Sequence, residues 1–186
     1  LDILEKEGLI ERYRAKGTFV IERPKRDLWC EVKTDWTGLL IARDNATIEI
    51  LGDETGVHLP RHEGELGNPA PSYRHLRRKH SRDGQAFLLA DVYVDERICE
   101  HIPEENYTRV TAMRLVADIP GQTVANANQI VTIGSADLET ASQLNISIGD
   151  PIARVQRVVA NQNGDIIMLA NGIYRGDMMK IEVKLR

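Results

Sequence analysis

The chain is 186 residues long, carries a formal net charge of −4 and contains two cysteines. That length suits one full domain with its own core plus a smaller piece, and the acidic balance argues against a chain that is mostly nucleic-acid-binding surface. No apolar run approaches the roughly 18 residues a membrane span needs, and Cys30 and Cys99 stand far apart without CxxC spacing, which argues against a disulfide framework or zinc site and fits a reducing cytoplasm.

Leu1, Ile3 and Leu4 form an apolar stripe among charged residues, a helix that Gly8 stops. Residues 9–13 and 18–21 are strand-like runs joined by Arg14-Ala15-Lys16-Gly17, a basic-tipped hairpin in which Gly17 supplies a positive φ. Pro24 marks a boundary, and residues 24–33 read as a linker. Residues 35–42 are expected as a short helix and 46–51 as a strand. Residues 58–72, with three prolines and two glycines, are expected as an irregular loop. Residues 73–82 and 85–94 are two extended runs about Asp83-Gly84, the signal for a tight antiparallel hairpin.

Beyond the hairpin, residues 96–101 and 111–117 each suit a short helix, and residues 123–133 a strand. Ser135 is the expected cap of a further helix with acids in its first turn, ended by Asn145. Residues 151–160, 166–174 and 180–185 predict a three-stranded antiparallel meander with a turn at 161–164. No βαβ rhythm is present, so the class is α+β, an antiparallel sheet with helices packed on it.

The most basic stretch is Tyr73-Arg74-His75-Leu76-Arg77-Arg78-Lys79-His80-Ser81-Arg82. Strand alternation puts Arg74, Arg78, His80 and Arg82 on one face and His75, Arg77 and Lys79 on the other. Arginine forks grip carboxylate or phosphate, and a neighbouring histidine adds a donor, so one face could line an anion site; the other reading is an edge strand kept soluble by its charges. His58 and His62 are poor metal-ligand candidates because Pro60 disrupts the helix that would align them. Asp95 and Glu96 suit a helix start better than acid catalysis. Neither GxSxG nor GxxxxGK[ST] occurs.

Leu4, Glu7-Gly8-Leu9-Ile10, Arg12 and Lys16-Gly17-Thr18-Phe19-Val20 resemble the segment that closes the winged-helix DNA-binding domain of GntR-type bacterial transcription regulators, with Ala15 where the family often has glycine. The resemblance implies that the rest of a helix-turn-helix lies upstream and that this chain is a C-terminal fragment. The strand pair about Asp83-Gly84, the helix leading into Ile148-Gly149-Asp150-Pro151 and the motif Tyr174-Arg175-Gly176-Asp177 resemble the UTRA effector-binding domain of one GntR branch, whose fold is similar to chorismate lyase. Within that branch, His80, Asp91-Val92-Tyr93-Val94 and Thr108-Arg109-Val110-Thr111 look most like the histidine-utilisation repressors.

This resemblance implies three parts: the end of a winged helix at 1–23, a linker at 24–33 and a UTRA domain at 34–186. It also implies an effector site of Arg78, His80, Ala90, Thr111, Met168 and Tyr174. Arg78 fits the family's arginine and His80 departs from it. Ala90 and Met168 stand where sugar-phosphate-sensing members carry glutamates, so a small carboxylate is expected as effector rather than a sugar phosphate. Arg12, Arg14, Lys16 and Gly17 are the expected contacts to operator DNA. The expected protein is a cytoplasmic ligand-responsive regulator and homodimer, with the C-terminal strands in the dimer contact, no cofactor or metal, and no catalysis. The alternatives are a chorismate-lyase-like enzyme and a dimerisation module without a ligand.

Overall fold

The computed structural model describes residues 1–2, 5, 10–13, 17–20, 30–33, 46–64 and 67–182. The expected basic hairpin is present: strand β1 (Ile10–Tyr13) pairs antiparallel with β2 (Gly17–Val20), and Gly17 has φ of 97°. The expected helix at 35–42 and the stop at Gly8 lie outside the described residues.

Seven strands make the main sheet. They are β4 (Ala46–Val57), β5 (Asn68–Pro69), β6 (Tyr73–Arg82), β7 (Gln85–Asp95), β8 (Val124–Ser135), β9 (Pro151–Asn161) and β10 (Asp165–Arg175). The order is β4-β6-β7-β10-β9-β8, antiparallel throughout, with the short β5 parallel to the start of β10. The hairpin at Asp83-Gly84 sets the register of the sheet's middle, and Asp83 takes the left-handed φ of 49° that such a tight turn demands.

The helices segregate by face. Short helices α1 (Glu96–Cys99), α2 (Asn106–Arg109) and α3 (Ala112–Ala117) supply Tyr107, Met113, Leu115 and Val116 to the main core. From the sheet come Leu76, Val92, Val94, Val155, Val159 and Met168, the inward positions of neighbouring strands. On the opposite face, α4 (Leu138–Leu144) packs Ala141 against Ile152, while Leu59 covers Val158, Leu169 and Tyr93. The 58–72 segment is irregular as expected, yet tightly held. The buried Tyr73 hydroxyl accepts from the Ala70 amide at 2.7 Å and donates to the Ile166 carbonyl at 2.8 Å.

Three expectations need correction. The last strand does not extend the antiparallel meander: β11 (Met179–Glu182) follows a 3₁₀ turn at Gly176–Met178 and pairs in parallel with β3 (Cys30–Lys33), apart from the main sheet. The end of the expected linker is therefore a hydrogen-bonded strand. Ser135 does not cap α4, because β8 runs through it to pair with Pro151; the cap is Asp137, whose Oδ1 accepts from the Thr140 amide at 2.8 Å. Asn145 does end the helix, in the left-handed conformation with φ of 53°.

The cap assignment is open to direct test. Asp137→Ala removes an acceptor for an orphan amide and should cost about 0.5–2 kcal/mol. Ser135→Ala should be neutral by comparison. Chemical denaturation of both variants measures the difference, and equal effects would contradict the assignment.

Candidate functional site

Strand β6 turns Leu76, Arg78 and His80 toward the helical face, and all three are buried. Arg78 is 0 % exposed, as inaccessible as the aliphatic residues beside it. Its Nη2 donates to the Val110 carbonyl at 2.5 Å. Its Nε and Nη1 are buried without a hydrogen-bond partner among the described residues. Loss of hydration lowers the guanidinium pKa to about 10. The folded state thus disfavours the charge. Below pH about 10 the full cost is present, and it is relieved only as pH rises toward the ordinary arginine value of the unfolded chain.

Three other cations of this strand are answered by carboxylates, while Arg82 lies over the ring of Phe87. Arg74 is held by Asp53 at 2.6 Å and Glu104 at 3.1 Å, over the ring of Tyr107. Lys79 meets Glu49 at 2.7 Å, and Arg77 pairs with Glu139 of α4. Arg78 has no such partner among the described residues, so an anion is the chemical species that its environment lacks.

The surrounding residues follow from register. Ala90 is the cross-strand neighbour of Arg78, and Gly172 is the neighbour of Ala90. A Cβ at Gly172 would stand 3.1 Å from Leu88 and 3.1 Å from the Tyr174 ring, so those two side chains close over the glycine. Val110, which accepts from Arg78, directly precedes Thr111. Thr111 caps α3, its Oγ1 accepting from the Arg114 amide at 3.4 Å, which leaves the hydroxyl proton to donate elsewhere. His80 lies one inward position along from Arg78, edge-on to Phe87 at 6.2 Å, and Leu88 separates it from Tyr174 in the same row. Met168 is fully buried but further off, opposite Val94 and two inward positions from Gly172. Arg78, His80, Ala90, Thr111 and Tyr174 therefore gather at one end of the helical face, and Met168 belongs to the adjoining core.

One residue of this face escapes the sequence reading. Arg157 on β9 donates from Nε to Gln129 at 2.6 Å and from Nη1 to the Tyr174 hydroxyl at 3.5 Å, with no carboxylate among the described residues. The signal was available in the alternation Ala153, Val155, Arg157, Val159, where a cation interrupts an inward apolar series.

Elsewhere, Arg12 is paired with Asp2 and, at 2.8 Å, with Glu5. Arg14 and Lys16 lie outside the described residues. Asp95 caps α1 and is held by Arg97, while Glu96 accepts from Ser72 and the Gly56 amide, so both acids serve structure. Among the described residues no His, Cys, Asp and Glu cluster suits a metal ion, and no helix is long and apolar enough to cross a membrane.

An antiparallel sheet with short helices packed on it is the architecture that this chain shares with effector domains of GntR-type transcription regulators. Residues 66–180 match the UTRA domain, and the chain belongs to that family. Along 186 residues it is 22 % identical to the HTH-type transcriptional regulator Rv0792c of Mycobacterium tuberculosis, covering 98 % of this chain and 68 % of that protein. The crystal structure of PhnF from Mycobacterium smegmatis superposes with a TM-score of 0.63 at 16 % identity, covering 100 % of this chain and 81 % of that one. The C-terminal domain of the histidine utilization repressor from Pseudomonas syringae pv. tomato gives 0.60 at 15 % identity, covering 76 % and 99 %. The fold class expected from the sequence is the one observed.

If Arg78 is kept for an anion rather than for the fold, removing its charge should help the empty protein. Arg78→Met is expected to stabilise the ligand-free chain by about 1–3 kcal/mol, a rise of several degrees in Tm. A fall in Tm of similar size would make Arg78 a structural residue.

Proposed function

We propose that the chain senses a small carboxylate for a DNA-binding transcription regulator. The observation that carries this reading is the buried Arg78 guanidinium with two unsatisfied donor nitrogens. A carboxylate accepts two parallel N–H bonds from such a fork. In this reading His80 and Thr111 add donors, Tyr174 with Arg157 closes one end, and Ala90 forms an apolar wall, with Met168 in the core beyond it. Polyhydroxylated ligands are disfavoured, because Ala90 accepts nothing and each buried hydroxyl left unpaired costs roughly 1–3 kcal/mol. Arg12, Arg14, Lys16 and Gly17 would lie along the DNA backbone, where cations replace condensed counterions. Such a regulator works in the cytoplasm, beside the chromosome.

The reading also includes a homodimer, which the two sheet edges support. β4 is a guarded edge, with Glu49, Asp53 and Glu54 and two register breaks against β6. β8 is twelve residues, VANANQIVTIGS, with no charge and no proline. An edge of that kind is a template for pairing with another strand. A second copy of the same uncharged strand fits it without repulsion, and a two-fold axis suits paired half-sites on DNA.

Two measurements follow. A thermal-shift panel of small carboxylic acids and sugar phosphates should single out an acid, with about 2.7 kcal/mol of added stability at a hundred times its Kd. Arg78→Ala and His80→Ala should each weaken that effect; stabilisation by an amino-sugar phosphate, or by an acid despite both substitutions, would refute the reading. Sedimentation velocity at tens of micromolar should show a dimer, and a monomer there would remove that part of it.

A further inference from the structure

The sheet face opposite Arg78 is covered in two places and open between them. Helix α4 covers the part around Ile152 and Ile173, and the segment around Leu59 covers Val158, Leu169 and Tyr93. Between them lies a groove of about 360 Å³. Its floor is set by register: Asp91, Asn171, Gln156 and Ile130 succeed one another across β7, β10, β9 and β8, and Arg154 lies in the next outward row beside Ile173 and Thr132.

The polar groups of this floor are oriented but not used up. Gln156 accepts from the Glu63 amide at 2.8 Å and donates to Asn171 Oδ1 at 3.0 Å, which fixes the Asn171 amide with its Nδ2 donors unengaged among the described residues. Asp91 Oδ1 is 2.8 Å from His75 Nε2, whose ring stacks on Tyr93 at 4.4 Å, and Oδ2 has no hydrogen bond among the described residues. Arg154 has neither hydrogen bond nor ion pair there, although its field helps to hold the Asp137 carboxyl below the ordinary range. The groove therefore has a carboxylate at one end, a guanidinium at the other and a fixed amide between.

We propose that this groove is a second ligand site, distinct from the Arg78 site, and that it takes a small zwitterion of the free α-amino acid class. Asp91 and Arg154 are two strands and one outward step apart, about 12 Å between Cα atoms at standard strand spacings. The ligand's ammonium and carboxylate bridge the space between the two side-chain heads, both of which line the groove. The ammonium faces Asp91 and Glu63, the carboxylate faces Arg154 and the Asn171 amide, and the ligand's body lies on Ile130 and Ile173. A ligand with only one charge leaves one end of the groove unanswered. The volume sits at the small end of the range for compact ligands. The proposal does not rest on the carboxylate reading of the other face.

The test is calorimetric titration of the intact chain with the twenty L-amino acids, with acetate and ethylamine as single-charge controls. At least one amino acid should bind and neither control should bind comparably. Arg154→Gln and Asp91→Asn, both at partly or fully exposed positions, should each weaken that binding at least tenfold while far-ultraviolet dichroism stays unchanged. Arg78→Met should leave it intact. Absence of binding by all twenty at millimolar concentration would overturn the proposal. So would binding that survives both groove substitutions, or that disappears with Arg78→Met.

Discussion

A guanidinium sealed into an apolar sheet face has to be compensated, and Arg78 is compensated by a single backbone carbonyl. Everything near it follows from that deficit. The Val110 carbonyl is available because the chain must break between α2 and α3, and that break puts the Thr111 cap within the same neighbourhood. Ala90 and Gly172 are small at the two positions that follow Arg78 across the sheet, so the long side chain is accommodated by its neighbours' size and not by a charge. Natural sequences tolerate such a local conflict where function requires it.

The carboxylates of this protein are spent elsewhere. Asp53, Glu104, Glu49 and Glu139 answer the other cations of β6, and Asp95 and Asp165 hold Arg97. Each of these pairs is at least partly exposed on one side, where its worth is modest. Their contribution is distributional: they leave Arg78 and Arg157 on the helical face with no acidic partner among the described residues. The opposite face keeps both signs, in Asp91 and Arg154.

Much of this was legible in the sequence because the informative signals are local. Asp83-Gly84 marks a register, alternation along residues 73–82 puts Arg78 and His80 on one face, and Asn145 marks a helix end. What was not legible depends on partners distant in the chain. Residues 30–33 and 179–182 are four-residue strands whose pairing no periodicity announces, and Lys180 to Leu185 therefore looked like one more strand of the meander. Ser135 and Asp137 are both good caps, and only the extent of β8 against Pro151 decides between them. Asn106–Arg109 is a single turn, too short to carry a 3.6-residue pattern. Arg157 shows itself only once the inward face of its strand is known, because Arg154 and Gln156 beside it make the strand look merely half-solvated.

The parallel pair of β3 and β11 has a mechanical consequence. Tyr174, at the end of the Arg78 site, is separated from Met179 only by Arg175 and the single 3₁₀ turn at Gly176–Met178. The linkage between the tyrosine and β11 is therefore short. The evenly spaced, slanted hydrogen bonds of a parallel ladder tie β11 to Cys30–Lys33. In sequence those residues lie between the basic hairpin and the main sheet. Main-chain hydrogen bonds thus join the stretch that follows Tyr174 to the stretch that precedes the main sheet, two segments about 150 residues apart in the chain.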